Sequence, residues 1–133
     1  MKTIAKLGAG LIAGVMMSLS MAHAAGIDGV WRTPKGWKVK IYACGSARCG
    51  KVIGGTKDKD AHNPNKALRS RKVVGIQMIW GMKKTGSGYA GKLYNPKNGK
   101  TYSGKISIKS ASSISLSGCV FGGLICQAQT WRK

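Results

Sequence analysis

The 133-residue chain carries 23 Lys and Arg against three acids, a formal charge of +20, together with 20 Gly and four Cys. A chain of this length makes one domain with one modest core, which excludes a multi-domain machine. No glutamate occurs, and Asp28, Asp58 and Asp60 are the only carboxylic side chains, so paired-acid catalysis has little to work with.

The first segment, residues 1–24, reads as a cleaved secretory signal. Lys2 and Lys6 give a positive start, Leu7 to Leu19 is apolar and uncharged, and Ala22-His23-Ala24 offers small residues for cleavage after Ala24. The apolar run is short against the ~20 residues that span a bilayer, and no later run is longer, so no transmembrane span is expected. A soluble periplasmic or secreted protein of residues 25–133 follows, with His62 as its sole imidazole. Losing Lys2 and Lys6 lowers the formal charge from +20 to +18.

Export places Cys44, Cys49, Cys119 and Cys126 in an oxidising compartment, where an even count in a small chain points to disulfides. Four cysteines allow three pairings. Cys44 with Cys49 and Cys119 with Cys126 is favoured, because each pair flanks a short turn between strand-like runs. The C-x4-C and C-x6-C spacings are not those of a zinc ribbon, so neither a metal nor a cofactor is expected.

The mature chain has a period of two almost throughout. Gly29–Thr33, Gly36–Ala43, Cys49–Gly54, Val73–Trp80, Tyr89–Tyr94, Thr101–Lys109, Ser113–Cys119 and Ile125–Trp131 are the expected strands. Val39, Ile41 and Ala43 alternate with Lys38, Lys40 and Tyr42. Ile106 and Ile108 alternate with Lys105, Ser107 and Lys109, and Ile114 and Leu116 with serines. Val73 to Trp80 is apolar on both faces and reads as a buried strand. Asn95-Pro96-Lys97-Asn98-Gly99 is a strong reversal signal, with Gly86-Ser87-Gly88 and Gly122-Gly123 weaker ones. Gly75, Gly91 and Gly104 fall inside strand patterns and are read as bends. Regularly spaced strands without helices predict a barrel or sandwich. Gly54 to Lys72 breaks this rhythm as a long polar loop.

Gly29-Val30-Trp31 resembles the Gly-x-Trp signature of the lipocalin and calycin barrels, in which an arginine of the last strand covers the tryptophan. Arg132 follows Trp131 in the expected final strand, so Gly29, Trp31 and Arg132 would close one end. More broadly, the chain resembles the DUF2147 family of small exported bacterial proteins. The likeness runs through Ile41-Tyr-Ala-Cys44-Gly45, Cys49-Gly50-Lys-Val-Ile53 and Asp60-Ala-His-Asn63-Pro64. It continues with Leu68-Arg69-Ser-Arg71, Val74-Gly75-Ile76, Tyr94-Asn-Pro96-Lys-Asn-Gly99-Lys-Thr-Tyr102, Leu116-Ser-Gly118-Cys119 and Cys126 to Trp131. The resemblance implies an all-β fold: a small antiparallel up-and-down β-barrel of about eight strands, lipocalin-like, here with two local disulfides. It supplies no catalytic residue. Asn95 stands where the family often has an acid, and the chain is more basic than the family pattern.

Two binding functions follow from these readings. An eight-stranded barrel is wide enough to be filled by side chains or to hold one small ligand. With Val39, Ile41, Ile76, Met78, Ile106, Ile108 and Leu116 facing inward, a small hydrophobic or amphipathic anionic ligand is expected inside or at the mouth. Asn63, Lys66, Arg69 and Arg71 of the long loop would then bind its head group. The second function is capture of an envelope polyanion, lipopolysaccharide or anionic lipid, by the basic surface of a filled barrel. Trp37, Tyr42, Tyr89, Tyr94 and Tyr102 could stack on bases, but no nucleic-acid-reading motif accompanies them, so nucleic acid is disfavoured as a partner. His62 near Asp60 lacks a nucleophile motif, and Asp58-Lys59-Asp60 lacks the glycine and glutamate of a calcium loop, so no enzyme activity is expected.

Overall fold

A computed structural model describes residues 26–133; the signal segment and its cleavage after Ala24 lie outside the described residues. Eight antiparallel strands follow one another around a closed barrel: β1 Gly29–Arg32, β2 Lys38–Cys44, β3 Ala47–Gly54, β4 Gln77–Lys84, β5 Gly88–Asn95, β6 Lys100–Ser110, β7 Ser113–Val120 and β8 Ile125–Arg132. Each strand pairs with its sequence neighbours. The closing contact between β1 and β8 is a single register pair, Arg32 with Arg132, so among the described residues β8 from Ile125 to Trp131 has no partner on its β1 side.

The alternation in the sequence sets which face is buried. Val39 and Ile41 on β2 lie across from Val52 and Gly50 on β3, and Ile106 on β6 lies across from Leu116 on β7. These side chains are buried with Ile79, Met82 and Ile114, while Lys38, Lys40, Lys51, Lys92 and Lys105 remain exposed between them. Burying side chains of this kind is worth roughly 1.5–3 kcal/mol each, enough to fix the register.

Four expectations are corrected. The fourth strand begins at Gln77 rather than Val73 and runs on to Lys84. Val73 and Ile76 are buried all the same, because the segment before the strand folds against β3, with Gly75 N–H donating to the Val52 carbonyl and Val52 N–H to that of Ile76. Gly75 therefore serves a turn with a φ of 106° and not a bend within a strand. Ile108 is 44% exposed, and Ala43 is exposed as well. β6 overruns β5, whose pairing stops at Gly88 with Ser107, so Ile108 extends past the cover that its inward parity would otherwise give it.

Register shifts at two places bend β4. At the first, consecutive Met78 and Ile79 are both buried. At the second, Gly81 takes a φ of 62° and its backbone comes so near Gly91 on β5 that a Cβ there would lie 2.7 Å from the Gly81 carbonyl. Gly91 is thus a close approach between strands, and Gly104 on β6 leaves room for the tip of Met82 and for Leu93.

Both disulfides are local: Cys44 with Cys49 across the β2–β3 turn, and Cys119 with Cys126, register partners of β7 and β8. No helix among the described residues is long and apolar enough to cross a membrane.

Candidate functional site: the barrel mouth

An up-and-down topology sends alternate connections to opposite ends. The β1–β2 turn, the long β3–β4 loop, the β5–β6 turn and the β7–β8 turn share one end, and the chain termini and remaining turns share the other. The terminal end is shut. Trp31 is 1% exposed and donates its indole N–H to the Ile27 carbonyl at 2.8 Å. The cation over its ring is Lys133, 5.0 Å from the centroid, where the resemblance places Arg132. Arg132 is exposed and makes the seam pair instead. Gly29 leaves the space used by the Lys133 side chain, whose Cε would lie 3.2 Å from a Cβ at that position.

The opposite end is open. One cavity of about 390 Å³ is lined by Leu93, Tyr102, Leu116, Gly118, Gln127 and Gln129, with Asn95, Asn98, Lys100, Val120 and Ile125 towards its rim. A second of about 190 Å³ shares Leu93, Asn95, Leu116 and Gln129 and adds Met78, Trp131, Trp37, Thr33, Pro34, Lys35 and Lys97. The shared residues make them two lobes of one mouth, apolar at its floor and polar at its edge. Deeper in the barrel Val39, Ile41, Val52 and Ile79 are no more than 1% exposed and fill the interior.

Lys35 and Lys97 occupy separate turns yet meet at this rim. Lys97 stands 5.9 Å from the Trp37 ring centroid. Its neighbour Lys35, with some desolvation, pulls its ammonium below the ordinary lysine range, against the opposing pull of Asp58. Two like charges on one rim favour an anion between them. Trp37, Asp58, His62 and Lys97 also border a separate opening of about 320 Å³ beneath the long loop.

The long loop is organised around Asp60, which is completely buried. Tyr94 donates its phenol to Oδ1 at 2.6 Å, while Asn63 Nδ2 and Arg71 Nε donate to Oδ2 at 2.8 and 2.9 Å. Burial alone would raise the carboxyl pKa, but these three donors outweigh it and hold the group below the usual carboxylate range. For Tyr94 burial and the adjacent carboxylate act together, pushing the phenol up to about 12. Arg69 Nε donates to the Asn63 carbonyl at 2.7 Å. Asn63, Arg69 and Arg71 are thereby engaged within the loop, Lys66 is exposed in a short 3-10 turn, and none of the four lines the mouth.

Of the expected interior residues, the mouth brings Met78 and Leu116 together; Val39, Ile41 and Ile106 belong to the filled part, Ile76 to the segment before β4, and Ile108 lies outside. Lys35, Lys97, Gln127 and Gln129 were not singled out from the sequence. The available signal is the up-and-down order itself, which puts the Pro34-Lys35-Gly36 and Pro96-Lys97-Asn98 turns at the same end.

A closed, eight-stranded, up-and-down barrel sealed at one end and open at the other is a lipocalin-like barrel. The structure is similar to that of a protein described as "Protein HP1028 from the human pathogen Helicobacter pylori belongs to the lipocalin family", with a TM-score of 0.74 and 24% identity over 83% of this chain and 84% of that one. The chain belongs to the DUF2147 family, described as "Uncharacterized protein conserved in bacteria", whose pattern matches residues 29–133. No curated protein matches the chain.

Proposed function

We propose that the protein is an exported, non-enzymatic carrier of one small amphipathic anion, its apolar tail in the mouth and its charged head on the rim lysines. The lipocalin-like barrel and the two disulfides support a binding protein of an oxidising compartment. The observation that carries the reading is the meeting of Lys35 and Lys97 above a floor of Met78, Leu93, Leu116 and Trp131. The larger lobe, about 390 Å³, falls in the range of roughly 300–1,000 Å³ usual for small-molecule sites.

Calorimetric titration with dodecanoate and with dodecanol, which share a tail and differ in charge, tests the proposal. Dodecanoate should bind roughly tenfold more tightly, one tenfold step being about 1.4 kcal/mol, and Lys35→Gln with Lys97→Gln should erase the preference. Failure of both compounds to bind, together with no ligand mass on the native protein from its own cells, would sink it.

A second reading rests on the exposed Lys38, Lys40, Lys51, Lys92 and Lys105 of the outer wall. Positive charge along β2, β3, β5 and β6 favours an envelope polyanion such as lipopolysaccharide. Binding of that kind should fall steeply with salt and ignore substitutions inside the mouth.

A further inference from the structure

Hairpin tips are ordinarily built of polar turn residues, but the tip joining β7 to β8 reads Val120-Phe121-Gly122-Gly123-Leu124-Ile125. Phe121 is 74% exposed, Leu124 86% and Ile125 56%. Phe121, Gly122 and Gly123 take φ values of 54°, 66° and 94° in succession. That region is strained for a bulky side chain such as phenylalanine. The turn is stapled at its base by the disulfide between Cys119 and Cys126, which restrains the tip from folding back to hide its apolar groups.

Charge lies across the mouth from this tip and does not enter it. No charged residue occurs between Lys109 and Arg132, yet Val120 and Ile125 border the same mouth as Lys100, and Lys35 and Lys97 border its second lobe. An apolar prong at a mouth bordered by three ammonium groups matches the layering of an anionic bilayer, acyl chains beneath phosphates. A second copy of this chain would bring the same cations, and like charges oppose a tip-to-tip dimer.

We propose that the β7–β8 tip docks the barrel, mouth first, on an anionic phospholipid surface. Phe121, Leu124 and Ile125 enter the boundary between headgroups and acyl chains, while Lys35, Lys97 and Lys100 face the phosphates. Docking does not depend on the ligand in the mouth, but it turns the mouth towards the membrane.

Flotation of the full, oxidised protein with vesicles of equal parts phosphatidylcholine and phosphatidylglycerol, and with pure phosphatidylcholine, tests the proposal. The native protein should float with the anionic vesicles. The exposed-tip variant Phe121→Ser with Leu124→Ser should partition roughly tenfold less, with an unchanged melting temperature. Equal flotation of variant and native protein would overturn the proposal in favour of charge alone. Sedimentation supplies the other check: a native dimer that the same substitutions dissociate, with neither form floating, would give the tip to a second copy and overturn docking.

Discussion

The Tyr94 phenol donates to Oδ1 of the buried Asp60 at 2.6 Å, tying β5 to a loop residue 34 positions earlier. It is the shortest of the three side-chain bonds that converge on that carboxylate. Tyr94→Phe removes a hydrogen bond to a charged acceptor and should cost about 1.5–3 kcal/mol. Urea unfolding measures it; an unchanged midpoint would show that the loop holds without this bond.

The same pair should make stability depend on pH at both ends of the range. Tyr94 has its folded pKa raised from 10.0 to about 12, so the neutral phenol is favoured by folding. Its stabilisation is complete below pH 10 and is lost as the pH rises from 10 through 12. Asp60 is shifted the other way, down from 3.8; its contribution is complete above that value and disappears as the pH falls through the lower, folded pKa. Thermal unfolding across pH should show both limbs, with Tyr94→Phe flattening the alkaline one.

Arg69→Ala with Arg71→Ala should lower the melting temperature and leave dodecanoate affinity intact, since both arginines hold the loop together. Lys35→Gln with Lys97→Gln should do the reverse. Paired melting curves and titrations decide it; an arginine double variant that loses affinity at full stability would return the head-group role to the long loop.

Glycines at two strand positions should differ in sensitivity. An added Cβ at Gly91 meets Gly81 and Met82 backbone atoms at 2.7 Å, whereas at Gly104 it meets the flexible Met82 Cε at 2.8 Å. Gly91→Ala should therefore cost about 1–3 kcal/mol as an overpacking change, and Gly104→Ala less. Denaturant midpoints of the two variants give the comparison.

Reducing the native protein should also matter modestly. Each disulfide closes a short loop, Cys44–Cys49 across a sequence separation of 5 and Cys119–Cys126 across 7. Each is worth about 2 kcal/mol in the chain-entropy view. Reduction at low denaturant should lower the melting temperature, and the denatured oxidised protein should titrate no free thiol.

Alternation made most of this barrel legible. Val39 and Ile41, Ile106, and Ile114 and Leu116 sit between exposed or half-buried polar neighbours in the sequence and are buried in the fold. The fourth strand was harder to place because the apolar run Val73-Val74-Gly75-Ile76 carries no sign that its buried members pack from a loop. The doubled burial of Met78 and Ile79 comes from a register shift, which period-two counting cannot represent. The rim eluded local reading for another reason: Lys35 and Lys97 lie in turns far apart in sequence, and only the barrel's connectivity makes them neighbours. Asp60 pairs with Arg71 of its own loop, but nothing local in the sequence identifies Tyr94 as a further partner.

The single Arg32–Arg132 pair across the β1–β8 seam bears on the order in which the protein forms. Every other strand pairing joins sequence neighbours, so the sheet can grow as a ribbon of hairpins with little loop-closure entropy opposing most steps. Bringing β1 to β8 is the long-range step and is secured by one register pair. Amides of β1 should therefore exchange with deuterium well before those of β6, which is flanked by long partners on both sides, and the ribbon should outlast the ring as denaturant is raised.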